Sequence, residues 1–269
     1  MHGLGNDFIL LNGFGQMPPG PLSVWARRLC HRRLGVGADG LIVLSPAQGA
    51  DFRFSIFNSD GSRAEMCGNG MRCAVLFAQS EGLAAGPEFT AETLAGLIRA
   101  RITDLASGLV EVDMGTPVLA AEKIPVLLPG EPPLAHPLSA GGREFAVTAL
   151  SMGNPHCVVF VEDAANFPVE HFGPLLERHE VFPARANVEF VQICSYDKIK
   201  MRVWERGCGL TLACGTGACA AAAASFLNGL SGRRVEVALP LGSLELHWRE
   251  SDRHMMMTGP AKKVFEGEL

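Results

Sequence analysis

The chain has 269 residues, room for about two domains that can each bury a core. It is 48% hydrophobic and 19% charged with a formal net charge of −5, which fits a globular enzyme and excludes a disordered chain. The acidic balance and the absence of a basic run argue against a nucleic-acid partner. The longest apolar run, Ala218 to Leu227, falls short of the ~18 residues of a membrane span. The amino terminus lacks the basic start and apolar core of a secretion signal, so the chain is expected in the cytoplasm. There its eight cysteines stay reduced.

In chain order, Phe8 to Leu11 reads as a strand, Leu22 to Arg33 as a helix and Gly35 to Gly40 as a tight loop. Strands follow at Leu41 to Leu44 and Asp51 to Phe57, the latter ending in the turn Asn58-Ser59-Asp60-Gly61. Met66-Cys67-Gly68-Asn69-Gly70 then opens an apolar helix that stops near Gly82. Phe89 to Thr93, Leu97 to Ile102 and Leu109 to Met114 are further strands, and the proline-rich stretch 124–142 reads as an irregular insertion. Strands resume at Phe145 to Leu150, Cys157 to Val161 and Val188 to Ile193, with helical character at Phe172 to His179. Lys200 to Trp204 runs into Glu205-Arg206-Gly207, and Ala213-Cys214-Gly215-Thr216-Gly217 opens a second apolar helix ending near Gly229. Val235 to Leu239, Leu244 to Trp248 and a strand near Lys263 to Phe265 complete the series.

The halves repeat each other. Asn58 lies nine residues before Cys67, and Glu205 nine before Cys214. Gly40 and Asn187 each lie twenty-seven before their cysteine, and a Gly-Leu pair begins fifteen after each. The chain is therefore a degenerate tandem duplication, with domains at 1–116 and 117–260. Strands outnumber helices in each half, and both post-cysteine helices are apolar nearly all round. The fold expected is α+β: two pseudo-symmetric domains, each a curved mixed β-sheet, a pseudo-barrel, wrapped around a central helix.

Two thiols at helix N-termini, facing across a pseudo-twofold, suit proton transfer. A helix end worth up to ~2 kcal/mol could lower a thiol from its usual ~8.5 by about 1.5 units, before burial pushes back. One thiolate removes an α-proton while the opposed thiol protonates the other face. The substrate α-carboxylate would sit between Gly68-Asn69 and Gly215-Thr216, where backbone donors stabilise developing charge. No cofactor is called for: there is no Rossmann fingerprint, no P-loop and no pointer to a pyridoxal lysine. No cysteine spacing reads as a metal site. Cys30, Cys157 and Cys194 read as small core residues, as do Cys73 and Cys219, and Cys208 is undecided.

The motifs His2-Gly3-Leu4-Gly5-Asn6-Asp7-Phe8, Gly35-Val36-Gly37-Ala38-Asp39-Gly40, Asn58-Ser59-Asp60-Gly61-Ser62, Met66-Cys67-Gly68-Asn69-Gly70, Met152-Gly153-Asn154-Pro155-His156, Arg185-Ala186-Asn187-Val188, Glu205-Arg206-Gly207 and Ala213-Cys214-Gly215-Thr216-Gly217 together resemble the diaminopimelate epimerases. The resemblance covers nearly the whole chain. It implies a pyridoxal-independent isomerase interconverting LL- and meso-2,6-diaminopimelate, on the path to lysine and peptidoglycan, commonly as a homodimer. By motif, Cys67 and Cys214 are the acid/base thiols and Asn6 lines the site. Asn58, Asn154, Asn187 and Arg206 hold the distal carboxylate, Glu205 the distal ammonium, and His156 supports the thiols. The resemblance also implies that a C-terminal strand, about 261–269, returns to the first domain. Two residues depart from the family pattern: Gly40, where some members have glutamine, and Leu210, where most have glutamate.

Taken singly, each cysteine reads more readily as a buried structural thiol, and each asparagine as a turn residue. The rival functions are a racemase for another amino acid such as proline, a thiol-disulfide redox protein and a cysteine hydrolase. A distal Asn/Arg/Glu set argues against proline, which has no second head.

Overall fold

Each cysteine motif opens a helix because the cysteine itself stays extended and stands just outside it. The computed structural model describes residues 1–15, 17 and 19–268. Its α-helices among these are α1 (Leu22–Leu29), α2 (Gly68–Ser80), α3 (Val169–Glu177) and α4 (Gly215–Leu227). Cys67 (φ −144°, ψ 117°) caps α2 and Cys214 (φ −126°, ψ 114°) caps α4. The two helices also stop alike. Gly82 (φ 65°) and Gly229 (φ 71°) take the left-handed conformation, Leu83 N–H donates to Ala78 O, and Leu230 N–H to Ser225 O. This is the six-to-one bond of a Schellman ending, so the repeated Gly-Leu pair is a helix stop used twice. None of the helices is long and apolar enough to cross a membrane.

The chain forms two units, Met1–Asp113 with Thr258–Leu269, and Met114–Met257. Both are α+β, a curved mixed sheet around a central helix. In the first, Asn6–Asn12 runs parallel to Gly40–Ser45, with Phe52–Asn58 antiparallel on its far side. Glu88–Thr93, Gly96–Asp104 and Leu109–Asp113 continue the sheet. These strands enclose α2, whose residues 68–75 are all buried. In the second unit α4 is enclosed by Arg143–Ser151, Pro155–Phe160, Asn187–Ser195, Lys198–Glu205, Arg234–Leu239 and Gly242–Trp248. Its buried alanines, Ala220 to Ala224, let strands approach closely.

Strand register repeats the duplication. Phe8 pairs with Gly40 and Leu41 with Phe57 in the first unit; His156 pairs with Asn187 and Val188 with Trp204 in the second. Phe52 pairs with Ala91, and Ile199 with Val237. Counted from its own cysteine, each residue matches its counterpart to within one position.

Some elements differ from the sequence expectation. The first helix ends at Leu29 rather than Arg33, because His31 Nδ1 captures the N–H groups of Arg33 and Leu34. The helix expected at Phe172 to His179 runs over Val169–Glu177, with Pro174 inside it. The stretch 124–142 is not wholly irregular: His136–Ala140 forms a hairpin with Arg143–Ser151. The last strand is Met255–Pro260, not Lys263 to Phe265. Beyond it Lys262 exchanges two backbone hydrogen bonds with His2, and Ala261 N–H donates to Gly108 O. Cys194 is exposed, not core, because the register slips between Ile193 and Ser195. Cys208 is exposed too, whereas Cys30, Cys73, Cys157 and Cys219 are buried.

Those buried thiols set an alkaline limit. Burial pushes Cys30 up from 9.0 to about 11 and Cys73 to about 12. The folded chain therefore keeps protons that the unfolded chain gives up above pH 9.0. This contribution is fully present below pH 9.0 and is lost as pH rises through about 11 and about 12. The urea midpoint is expected to fall across that window, and to fall less steeply in Cys73→Ala. Parallel curves for the two proteins would show that the thiol does not contribute.

Candidate active site

In the first unit the expected residues gather on Asn6. Cys67 Sγ accepts the Gly70 N–H at 3.4 Å and lies 3.8 Å from Asn6 Oδ1. Asn69 Nδ2 donates to the same oxygen at 3.2 Å, and Asn6 Nδ2 donates to Asp39 Oδ2 at 2.9 Å. Behind Asn69 stands Arg72, fully buried, whose Nη2 donates to Asn69 Oδ1 at 2.9 Å and whose Nε donates to Pro260 O at 3.2 Å. Gly68 is the first residue of α2 and is buried. Asn58 is exposed and ends its strand opposite Gly40. Its Nδ2 donates to Ser62 Oγ at 2.9 Å, and Ser59 N–H donates to Asp39 O at 3.0 Å. Asn58 thus shapes a turn anchored on the carboxylate residue that holds Asn6.

In the second unit Cys214 is a buried thiol. Its Sγ accepts the Gly217 N–H at 3.4 Å and lies 3.5 Å from Thr216 Oγ1. Burial, then the Glu205 carboxylate, push it well above the ordinary thiol value, against the pull of Thr216 and Gly217. The helix end alone would favour a thiolate; here burial outweighs it, and Cys214 rests protonated. Gly215 is buried at the helix start.

Three adjacent strand ends carry the remaining residues. His156 pairs with Asn187 and Val188 with Trp204, so His156, Asn187 and Glu205 share one edge. His156 Nδ1 lies 2.7 Å from Glu189 Oε1, and Nε2 lies 3.0 Å from Asn154 Oδ1. Asn187 Nδ2 donates to Pro155 O at 3.2 Å while its Oδ1 accepts the Arg206 N–H at 2.9 Å, which ties this asparagine to the local backbone. Arg206 Nη1 donates to Ala184 O at 3.1 Å. Glu205 Oε1 accepts from Thr211 Oγ1 at 2.5 Å. Leu210, 38% exposed, occupies the middle of the short strand Gly209–Thr211.

Two residues of the site were not anticipated. Arg72 is the lone charge in a buried helix, and Glu189 the lone charge in the apolar run Val188-Glu189-Phe190-Val191. A fully buried charged residue is rare unless paired, so each stood out as a single charge in an apolar element.

The family profile described as diaminopimelate epimerase matches residues 1–120 and 148–264. The diaminopimelate epimerase of Moorella thermoacetica is 52% identical to this chain, covering 100% of it and 97% of its relative. That of Desulforudis audaxviator is 53% identical over the same shares. Among solved structures, a probable proline racemase from Agrobacterium radiobacter has a TM-score of 0.66 at 18% identity, covering 98% of this chain and 92% of its own. That likeness is one of fold.

Proposed function

Because the chain belongs to the diaminopimelate epimerase family, an isomerase family, we propose that it interconverts LL- and meso-2,6-diaminopimelate with Cys67 and Cys214 as an acid/base pair. The observation that carries the pair is the repeated cap. In both units a thiol stands outside a buried helix and accepts the N–H of the third residue beyond it, at 3.4 Å each time.

In the mechanism, one sulfur takes the α-proton as a thiolate and the other returns a proton from the opposite face, so configuration inverts. Cys214, held protonated by burial and the Glu205 carboxylate, enters as the acid, and the roles exchange in the reverse reaction. The backbone N–H groups of the two helix starts, at Gly68-Asn69 and Gly215-Thr216, hold the α-carboxylate and stabilise charge that spreads into it. Asn6 keeps Cys67 oriented through its shared oxygen. Asn58, Asn154, Asn187 and Arg206 receive the distal carboxylate, with Arg206 and Asn154 supplying its strongest donors, and Glu205 receives the distal ammonium. Asn187 does so through its hold on the Arg206 backbone. His156 supports the Cys214 half. The same reading places the enzyme in the cytoplasm, where its thiols stay reduced, and makes it a homodimer on the family's pattern.

The test is incubation with LL-diaminopimelate in deuterated water under reducing conditions. Deuterium is expected at the inverted α-carbon of the meso product. Turnover of proline without turnover of diaminopimelate would overturn the substrate assignment, and product formed without deuterium would overturn the two-base mechanism.

A further inference from the structure

The first unit answers with apolar residues a packing problem that the second answers with ionisable ones. Phe8 pairs with Gly40 as His156 pairs with Asn187, and Ile42 and Glu189 each stand two positions further along the middle strand. Both residues of this second pair press on the first turn of their central helix. A Cβ on Gly70 would stand 2.9 Å from Ile42 Cδ1, and one on Gly217 would stand 2.8 Å from Glu189 Oε1. Glycine at both places leaves room for the strand side chain. The shared plan thus accepts an apolar pair here, yet His156 and Glu189 are both fully buried. Burying ionisable groups is costly even when they are paired, so the second unit carries a cost that the first avoids.

We propose that Glu189 is a positioning residue for the Cys214 half, holding His156 in the form that presents an Nε2 proton to Asn154 Oδ1 and thereby orients the Asn154 amide for substrate. The proposal rests on the reading of Asn154 as a ligand of the distal carboxylate.

The hydrogen bonds fix the protons. Asn154 Oδ1, 3.0 Å from His156 Nε2, can only accept, so Nε2 carries a proton. At Nδ1, 2.7 Å from Glu189 Oε1, a second proton lies between nitrogen and oxygen. Whether it rests on the ring or on the carboxyl, the pair holds two protons and no net charge. Burial, which pushes the Glu189 carboxyl up, favours the neutral acid donating to Nδ1. Glu189 Oε2 has no hydrogen-bond partner among the described residues, a position that suits a neutral acid's carbonyl oxygen better than a carboxylate oxygen. With Oδ1 engaged, both N–H donors of Asn154 Nδ2 remain for an anion. Without Glu189 the imidazole is free to carry its single proton on Nδ1, and the amide is free to turn over.

Steady-state kinetics on the full-length enzyme test this. Glu189→Ile is expected to raise KM for diaminopimelate about tenfold with kcat within about threefold, the size of one lost hydrogen bond to substrate. Glu189→Gln, whose amide still donates to Nδ1, is expected to bring KM back to within about twofold of wild type. The double variant His156→Phe/Glu189→Ile imports the first unit's own pair and is expected to keep the thermal midpoint while KM rises. An unchanged KM in Glu189→Ile, an equal rise in Glu189→Gln, or a collapsed midpoint in the double variant overturns the proposal. Nitrogen-15 NMR of the wild-type ring covers the case in which Glu189→Ile does not fold. Nε2 of His156 is expected to be protonated, and a bare Nε2 overturns the proposal. That measurement needs no substrate. A wild-type enzyme inert toward diaminopimelate would therefore defeat the functional reading alone and leave the His156 result standing.

Discussion

Cys67→Ser and Cys214→Ser are each expected to lose about a thousandfold in epimerase activity, within the 10²–10⁴ that a positioned acid or base supplies. Serine keeps the size and the hydrogen-bonding plan but cannot ionise in the working range, so neither variant has a full pair. The fold is expected to survive. Both positions are helix N-caps, and serine is among the best residues there. The Gly70 and Gly217 N–H groups that now donate to sulfur would donate to Oγ instead. Thermal midpoints at or slightly above wild type, measured beside the activity, separate lost chemistry from lost structure. A single variant that retained a tenth of the activity would show that one thiol suffices, as a cysteine hydrolase requires and a two-base epimerase forbids.

Arg72→Met carries the second large effect, this time on stability. Arg72 donates to Asn69 Oδ1 and to Pro260 O and is fully buried. Methionine fills much of the space but takes a donor away from each acceptor, at about 1–3 kcal/mol each. A loss of about 4 kcal/mol in a chain of this size corresponds to a fall of roughly 10 °C in the thermal midpoint. Activity is expected to fall as well, since Asn69 passes the restraint on to Asn6, beside Cys67. Arg72→Lys is expected to recover only part of the loss, because an ammonium cannot reproduce the planar fork that spans both acceptors. Calorimetry of the two variants decides. An Arg72→Met midpoint within about 2 °C of wild type would show that the buried guanidinium does not stabilise the unit.

Features repeated in the chain were legible in the sequence. The cysteine caps, the Gly-Leu helix stops and the nine-residue offsets of Asn58 and Glu205 each occur twice, and repetition separates signal from coincidence. What occurs once was harder to read. Cys219 stands where Arg72 does in the first unit, and Ile42 where Glu189 does in the second, so comparing halves hides both residues. Strand alternation does not help with Glu189 either, because Asn187 to Val191 is buried on both faces and period two carries information only when one face is wet. Met255–Pro260 was misplaced because its methionines and proline have little of the β-branched character that marks strands. The helix after Leu22 was read too long, since the pattern up to Arg33 is helical and the His31 side chain takes the N–H groups that would continue it. The effect of burial on Cys214 was beyond the sequence. Helix polarity can be read from a motif, whereas burial depends on strands spread from Arg143–Ser151 to Gly242–Trp248.

The bond from Arg72 to Pro260 O spans 188 residues. Domains made on a ribosome generally fold in the order in which they emerge, but here the first unit cannot be completed in that order. The second unit is one continuous segment, Met114–Met257, while the first needs Thr258 onwards to close. A nascent chain has every residue of α2 long before the carbonyl that receives its buried guanidinium. Until then the Cys67 helix is held by an unfinished sheet, with its buried guanidinium one hydrogen bond short. The half of the enzyme that is translated first is thus the half that matures last.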